Sequence, residues 1–382
     1  MNPRAYPPAL WSRFFPVILA CGLLIVLIYL NRKSQQEDTE IDGLKSFDYS
    51  SSEDNPVPEK LPTFDLSAYS VTTHIGNISL QELDEKVFKP FGYKIIKPTL
   101  PVPTLKMQHE PKCETVFSEW LKISEKHQPS IPPKQLPVDL TNEFLLSGYT
   151  ALSEWYFNDH SAVGDAPRNW DRIAEFMKFS KSDLSAIAYN KESESVYHAM
   201  SNYRLDGLNG VVIGSMQPWV EVMALQHGAK KILTVEYNPL QIPDKFQDRL
   251  SSILPVDFVK NWQDYAGTFD FAVSFSSIEH SGLGRYGDPV DPIGDLREML
   301  KIKCMLKKGG ILFLGIPYGT DAMVFNAHRI YGSVRLAMMF YGFDWLASFS
   351  GDSEEKFDLD AEVLHSKPLY HVLHYTLVLK KR

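Results

Sequence analysis

Gly210-Val-Val-Ile-Gly-Ser-Met-Gln-Pro-Trp219, followed by Ile232-Leu-Thr-Val-Glu-Tyr-Asn238, is the stretch that decides the fold. An apolar run stops at Gly214, a short polar stretch ends at Pro218, and a second apolar run ends on the acid Glu236. The order is strand, tight loop, helix, strand, acidic tip. A doubly wound α/β sheet builds a nucleoside pocket in this way, with a carboxylate at the tip of the second strand placed to grip ribose hydroxyls. Pro218 suits the first turn of a helix, where its missing N–H costs nothing. Working outward, residues 269–275 read as a strand, 296–306 as an amphipathic helix, and Lys307-Lys-Gly-Gly310 as its stop. Residues 311–316 then read as a buried strand and 372–380 as the closing one. The expectation is a Rossmann-like, mostly parallel, seven-stranded α/β sheet over 206–382.

At these residues the chain resembles the class I, Rossmann-like S-adenosylmethionine (SAM)-dependent methyltransferases, over roughly 190–382. In that family a Gly-rich loop holds the methionine part of the cofactor, an acid ends the second strand, and a Leu-Lys-Pro-Gly-Gly-like turn precedes the fifth. The counterparts here are Gly214 to Trp219, Glu236, and Leu306-Lys-Lys-Gly-Gly310. Ile-Gly-Ser-x-x-Pro-Trp-x-Glu, Glu-Tyr-Asn and Ser-Ser-Ile-Glu-His are more closely similar to a methyltransferase-like family known only as a domain of unknown function, DUF268. The chain departs from the larger family in its loop: one glycine stands where two or three let backbone approach the cofactor.

The resemblance implies SAM as cofactor, with Gly214, Ser215, Met216, Trp219, Glu236, Tyr237, Asn261, Trp262 and Ser276 as candidate cofactor-binding residues. Acceptors and catalytic groups come from loops at the carboxyl ends of strands. The loop after the fourth strand carries Glu279 and His280, the latter a candidate general base because its ordinary pKa lies near neutrality. The bland alternative is that both merely hydrogen-bond the loop. Arg285, Asp288, Tyr318, Asn326 and Arg329 are candidate substrate-binding residues; equally, His328 and Arg329 open a helix running to residue 340. Methyl transfer asks mainly for alignment of donor and acceptor. No Cys/His spacing suggests a metal site.

A chain of 382 residues, 44% of them hydrophobic, can bury a full core. Its net charge of −8 gives no global footprint for nucleic acid, so small molecules, proteins or glycans are the expected partners. After a short tail (1–13), residues 14–30 form an apolar run flanked by Arg13 and by Arg32-Lys33, read as one transmembrane signal anchor. The basic residues on either side nearly tie; the sequon Asn77-Ile-Ser79 tilts the reading to a lumenal C-terminal domain in the ER or Golgi. Residues 31–138 read as a polar, Pro-containing stem and connector, and 139–205 as a helical lead-in with helices at 144–157, 170–179 and 184–203. Of the three cysteines, Cys21 falls in the span, Cys304 on an apolar helix face, and Cys113 has no evident partner, so no disulfide framework is expected.

Two competing functions keep the same architecture. A Golgi-type glycosyltransferase shares the layout of tail, anchor, stem and lumenal domain, and Asp358-Leu-Asp360 resembles its metal-binding Asp-x-Asp, although here it lies in an acidic loop. A catalytically inactive, membrane-tethered adaptor is the non-enzymatic alternative, and the reduced glycine loop supports it.

Overall fold

The computed structural model describes residues 64–127, 131–159, 167–365 and 373–382, all within one unit, Leu61–Arg382. Its centre is a seven-stranded sheet. In chain order the strands are β1 (Asn209–Ile213), β2 (Lys231–Val235), β3 (Leu250–Ile253), β4 (Phe269–Phe275), β5 (Leu306–Tyr318), β6 (Phe343–Phe349) and β7 (Leu373–Lys381). Across the sheet they lie in the order β3-β2-β1-β4-β5-β7-β6. The pairs from β3 to β5 are parallel, while β7 is antiparallel to both β5 and β6, so the sheet is mixed. The chain starts in the middle, winds to one edge, and returns to continue on the other side. This leaves a topological switch point between β1 and β4, where open α/β sheets bind ligands.

The strands form because their apolar residues serve both faces. Val211 and Ile213 of β1 enter one core cluster with Ala272, Leu312 and Leu314, whereas Val212 enters the other with Val273 and Phe313. Strands buried on both sides carry consecutive apolar residues, as Val211 to Ile213 of β1 and Phe271 to Val273 of β4 do. The first cluster is closed by α1 (Cys113–His127), α4 (Pro255–Lys260), α5 (Gly294–Met305) and α6 (Ser333–Met339); the second by α2 (Glu194–Asn202) and α3 (Trp219–Gln226). The expected stop at Lys307-Lys-Gly-Gly310 is realised inside β5. There the β4–β5 register jumps from Phe269↔Leu306 to Phe271↔Ile311, with Gly309 at φ +76°.

Several expectations are corrected. The stretch assigned to an extended connector carries two hairpins, Ser70–Thr73 with Gly76–Ser79 and Tyr93–Lys97 with Thr104–Met107, and then α1. Its apolar residues Leu80, Val87, Phe88, Leu105 and Phe117 are buried in the main core, a role the frequent prolines concealed. The helix expected at 144–157 covers only Thr141–Phe144; Leu146, Ser147 and Gly148 then take positive φ, and Ala151–Glu154 pairs as a strand with Ala322–Phe325. The helix expected at 184–203 is split at Asn190, φ +51°, into Lys181–Ala186 and α2. That expected at 170–179 shrinks to Ile173–Phe176. His328–Ile330 is a strand, and α6 begins only at Ser333. Cys113 does have a partner: it forms a disulfide with Cys304, Cα atoms 5.8 Å apart, tying α1 to α5. The expected span at 14–30 lies outside the described residues; among those described, no helix is long and apolar enough to cross a membrane.

Candidate functional site

A cavity of about 360 Å³ opens at the carboxyl ends of β1, β2 and β4, within the size range of small-molecule sites. Gly214 ends β1 at φ +73°, and its amide donates to the Val235 carbonyl at 2.9 Å. A Cβ at this position would lie 2.1 Å from Ser277 Oγ, so only glycine lets the loops after β1 and β4 approach. The cavity wall includes Gly214, Ser215, Met216 and Trp219 from the first loop, Glu236 and Tyr237 from the tip of β2, and Ser276, His280 and Asp288 from the loop after β4. These nine sequence candidates are thereby brought together. Ser276 holds φ +48°, an unfavourable conformation for a residue with a side chain, at the point where β4 turns into that loop.

The first loop is fixed by side chains. Ser215 N–H donates to Glu236 Oε2 at 3.0 Å, and Trp170 Nε1–H to the Met216 carbonyl at 3.2 Å. Glu236 Oε1 accepts from the Asn238 amide at 3.2 Å and from its side chain at 3.3 Å. A carboxylate has about four lone-pair sites, so Glu236 keeps acceptor capacity facing the cavity. Beneath the loop lies Glu221, fully buried, with Ser215 Oγ at 3.0 Å and Thr234 Oγ1 at 2.9 Å. Burial pushes its carboxyl up to about 8.

His280 sits on the opposite wall. Its Nδ1–H donates to the Ala327 carbonyl at 2.6 Å, which leaves Nε2 as the acceptor nitrogen. Burial lowers its pKa and keeps the ring neutral, against the pull of Glu279, whose Oε1 is 3.7 Å from Nε2. Glu279 itself is buried behind the wall. Burial would raise its carboxyl, but the imidazoles of His280 and His374 outweigh that and hold it at about 2. His374, on β7, lies 3.5 Å from Glu279 and 3.0 Å from Glu192. Burial works against its charge, yet the two carboxylates raise its pKa to about 9.

Other candidates fall elsewhere. Asn261 donates to the Asp257 carbonyl at the end of α4, and Trp262 stacks on Phe117 at 5.3 Å, both away from the cavity. Arg285 pairs with Asp159 at 2.6 Å and lies over Phe157. Tyr318 is buried against Tyr375, and Asn326 exchanges hydrogen bonds with the Phe157 backbone. Arg329 is buried with Asp295 at 3.8 Å and donates to main-chain carbonyls that include Ser281 and Asp291. Asp288 reaches the cavity wall, but its Oδ2 accepts the amides of Gly282, Leu283 and Gly284, so it shapes the loop. Sequence reasoning missed Tyr189, Tyr286, Glu298 and Lys301 on the wall. Lys301 and Glu298 form a buried pair at 2.6 Å, at the i,i+3 spacing that a helix brings together. Among the described residues no group of three His, Cys, Asp or Glu could hold a metal ion. Asp358 and Asp360 are exposed, and Asp360 caps Ala361–His365 by accepting the Val363 amide.

No curated protein matches the chain. Among solved structures it is similar to the 1,6-didemethyltoxoflavin-N1-methyltransferase of Burkholderia thailandensis, a complex with S-adenosylhomocysteine: 13% identity, 54% of this chain and 78% of that one, TM-score 0.33. It is also similar to a putative S-adenosylmethionine dependent methyltransferase from Listeria monocytogenes (11% identity, 53% and 100% covered, TM-score 0.32). A putative hemolysin from Lactococcus lactis aligns comparably (17% identity, 49% and 86% covered, TM-score 0.34). Residues 207–382 match the family described as Caenorhabditis protein of unknown function, DUF268. Over those residues, which are less than half of the chain, the chain is similar to the DUF268 family.

Proposed function

We propose that the protein is a membrane-anchored SAM-dependent methyltransferase, working in the cavity at the switch point of its sheet. The observation that carries this reading is Glu236, an acid at the tip of β2 with spare acceptor capacity, facing a cavity whose floor is Gly214. The donor set fits a cationic cofactor. Glu236, Asp288 and Glu298 line the space, and Lys301, the one lysine on its wall among the described residues, is already paired with Glu298. In this arrangement Glu236 would hold the ribose and the Gly214–Gln217 loop the methionine portion. SAM supplies an electrophilic methyl group when bound. His280 Nε2 accepts the proton released by a hydroxyl or amine acceptor, and Glu279 stabilises the resulting imidazolium across 3.7 Å. The same charge pattern disfavours a nucleotide sugar, whose phosphates would face three carboxylates, and Asp358 and Asp360 lie apart on an exposed loop.

The inactive-adaptor reading is favoured by one observation, the engagement of the Ser215 amide by Glu236 in place of a free glycine amide. Binding of S-adenosylhomocysteine decides between the two: a thermal shift of the purified protein supports the enzyme, and none supports the adaptor.

For topology we propose that the anchor at 14–30 places the domain in the lumen. The Cys113–Cys304 disulfide belongs to an oxidising compartment, and Asn77 of the sequon is exposed on its hairpin. Endoglycosidase treatment should shift the protein's mobility; an unshifted protein with a protease-sensitive domain in intact microsomes would reverse the orientation.

A further inference from the structure

We propose that Glu221 is a neutral carboxylic acid whose proton locks the cofactor loop, taking over the work that additional glycines would do. The proposal rests on the reading of this cavity as the SAM site, and names a positioning residue beneath it.

The argument starts from hydrogen counting. Ser215 Oγ lies 2.8 Å from the Gln217 carbonyl and 3.0 Å from Glu221 Oε2. A serine hydroxyl has one hydrogen and two lone pairs. With Glu221 ionised, both neighbours are acceptors and the single hydroxyl hydrogen serves only one; the Gln217 carbonyl also accepts the Trp219 amide at 2.8 Å, so the cost of ionisation is a short O···O contact at Ser215 Oγ that carries no hydrogen. With Glu221 protonated, the carboxyl donates to Ser215 Oγ, Ser215 donates to Gln217, and Thr234 donates to the other Glu221 oxygen at 2.9 Å. Every polar atom is then satisfied in a site from which water is excluded, Glu221 being 0% and Thr234 0% exposed. The charged group that faces Glu221 is Glu236, a second carboxylate from the tip of β2, which further favours the neutral form. Burial raises the Glu221 carboxyl in the same direction.

The lock bears on binding because Ser215 and Gln217 both line the cavity. Only Gly214 in this loop has the backbone freedom of glycine, and Ser215 is held through both its amide and its hydroxyl. Ionising Glu221 leaves Ser215 Oγ with one hydrogen for two acceptors, so either the Glu221 link or the Gln217 link is lost, and it sets two carboxylates against each other across the loop.

The test uses Glu221→Gln, which keeps shape and a donor but cannot ionise. In ligand-free protein the fold prefers protonated Glu221, so wild-type stability falls as pH rises from the ordinary carboxyl range to about 8. The expected result is a melting temperature that declines over this window in wild type and declines less in the variant; parallel curves would overturn the lock. S-adenosylhomocysteine titrated at pH 7 and pH 9 should bind wild type about tenfold more weakly at the higher pH, as the competent fraction drops, and the variant equally at both. Absence of binding at any pH removes the SAM reading, while the melting curves still decide the lock. If the variant fails to fold, infrared spectroscopy of wild type carrying ¹³C-labelled glutamate replaces it. A protonated glutamate carbonyl band at pH 7 that is lost toward pH 9 supports the proposal, and its absence overturns it.

Discussion

The backbone N–H of Ser215 donates to Glu236 Oε2 at 3.0 Å, so the tips of β1 and β2 are joined at the place where the cavity opens. Glu236 therefore carries two roles, loop anchor and candidate ribose acceptor. Replacement by Ala removes charge-assisted hydrogen bonds of roughly 1.5–3 kcal/mol, so affinity for SAM should fall about tenfold or more. Glu236→Gln should lose less, since it still accepts from Ser215. Calorimetric titration measures both, and unchanged affinity in the Ala variant would take Glu236 out of the site.

Gly214 is the second point of strict demand. It holds φ +73°, and a Cβ placed there would stand 2.1 Å from Ser277 Oγ, so Gly214→Ala adds strain and a clash together. The expected loss of stability is about 1–3 kcal/mol or more, read by chemical denaturation, and a variant as stable as wild type would contradict the close approach.

The Glu279–His374 pair predicts opposite pH limbs. His374, raised to about 9, contributes stability that is full below about 6.5 and lost as pH rises through 9; Glu279, held at about 2, contributes stability above its ordinary range near 4.5 and lost as pH falls through 2. Glu279→Gln should flatten the acid limb and bring the His374 ring titration, followed by NMR, back toward 6.5. A His374 ring that titrates at the same pH in variant and wild type would refute the coupling.

The disulfide closes a long loop, Cys113 and Cys304 being separated by 191 positions in the sequence. Its removal by Cys113→Ser should cost roughly 2–5 kcal/mol, seen as a lower denaturation midpoint. Peptide mapping without reductant should recover the linked pair, and alkylation of Cys113 and Cys304 themselves in the native protein would contradict it.

How far the sequence carried the reading follows from what each element depends on. β1 and β4 were legible because strands buried on both faces need mostly apolar runs, which Val211 to Ile213 and Phe271 to Val273 supply, and Glu236 was legible because it ends another. The break at Asn190 was not, since one residue at φ +51° interrupts an otherwise helical pattern without changing its periodicity. The cavity's far wall was hidden for another reason: Tyr189, Glu298 and Lys301 arrive from segments on either side of the motif, and only the winding of the chain brings them to it. Cys113 and Cys304 meet the same way, α1 folding back onto α5. Arg329 and Asn326, polar residues in a polar stretch, looked like a rim; their partners proved to be buried main-chain carbonyls and amides that they satisfy. Glu221 stood in the quoted motif, but nothing in one dimension shows that it lies under the loop.

The central claim is that the cavity beside Gly214 and Glu236 holds SAM, and isothermal titration of the purified protein with SAM tests it most directly. The account predicts saturable one-to-one binding that Glu236→Ala weakens about tenfold or more. No heat of binding from folded wild-type protein, or binding that Glu236→Ala leaves intact, would contradict it.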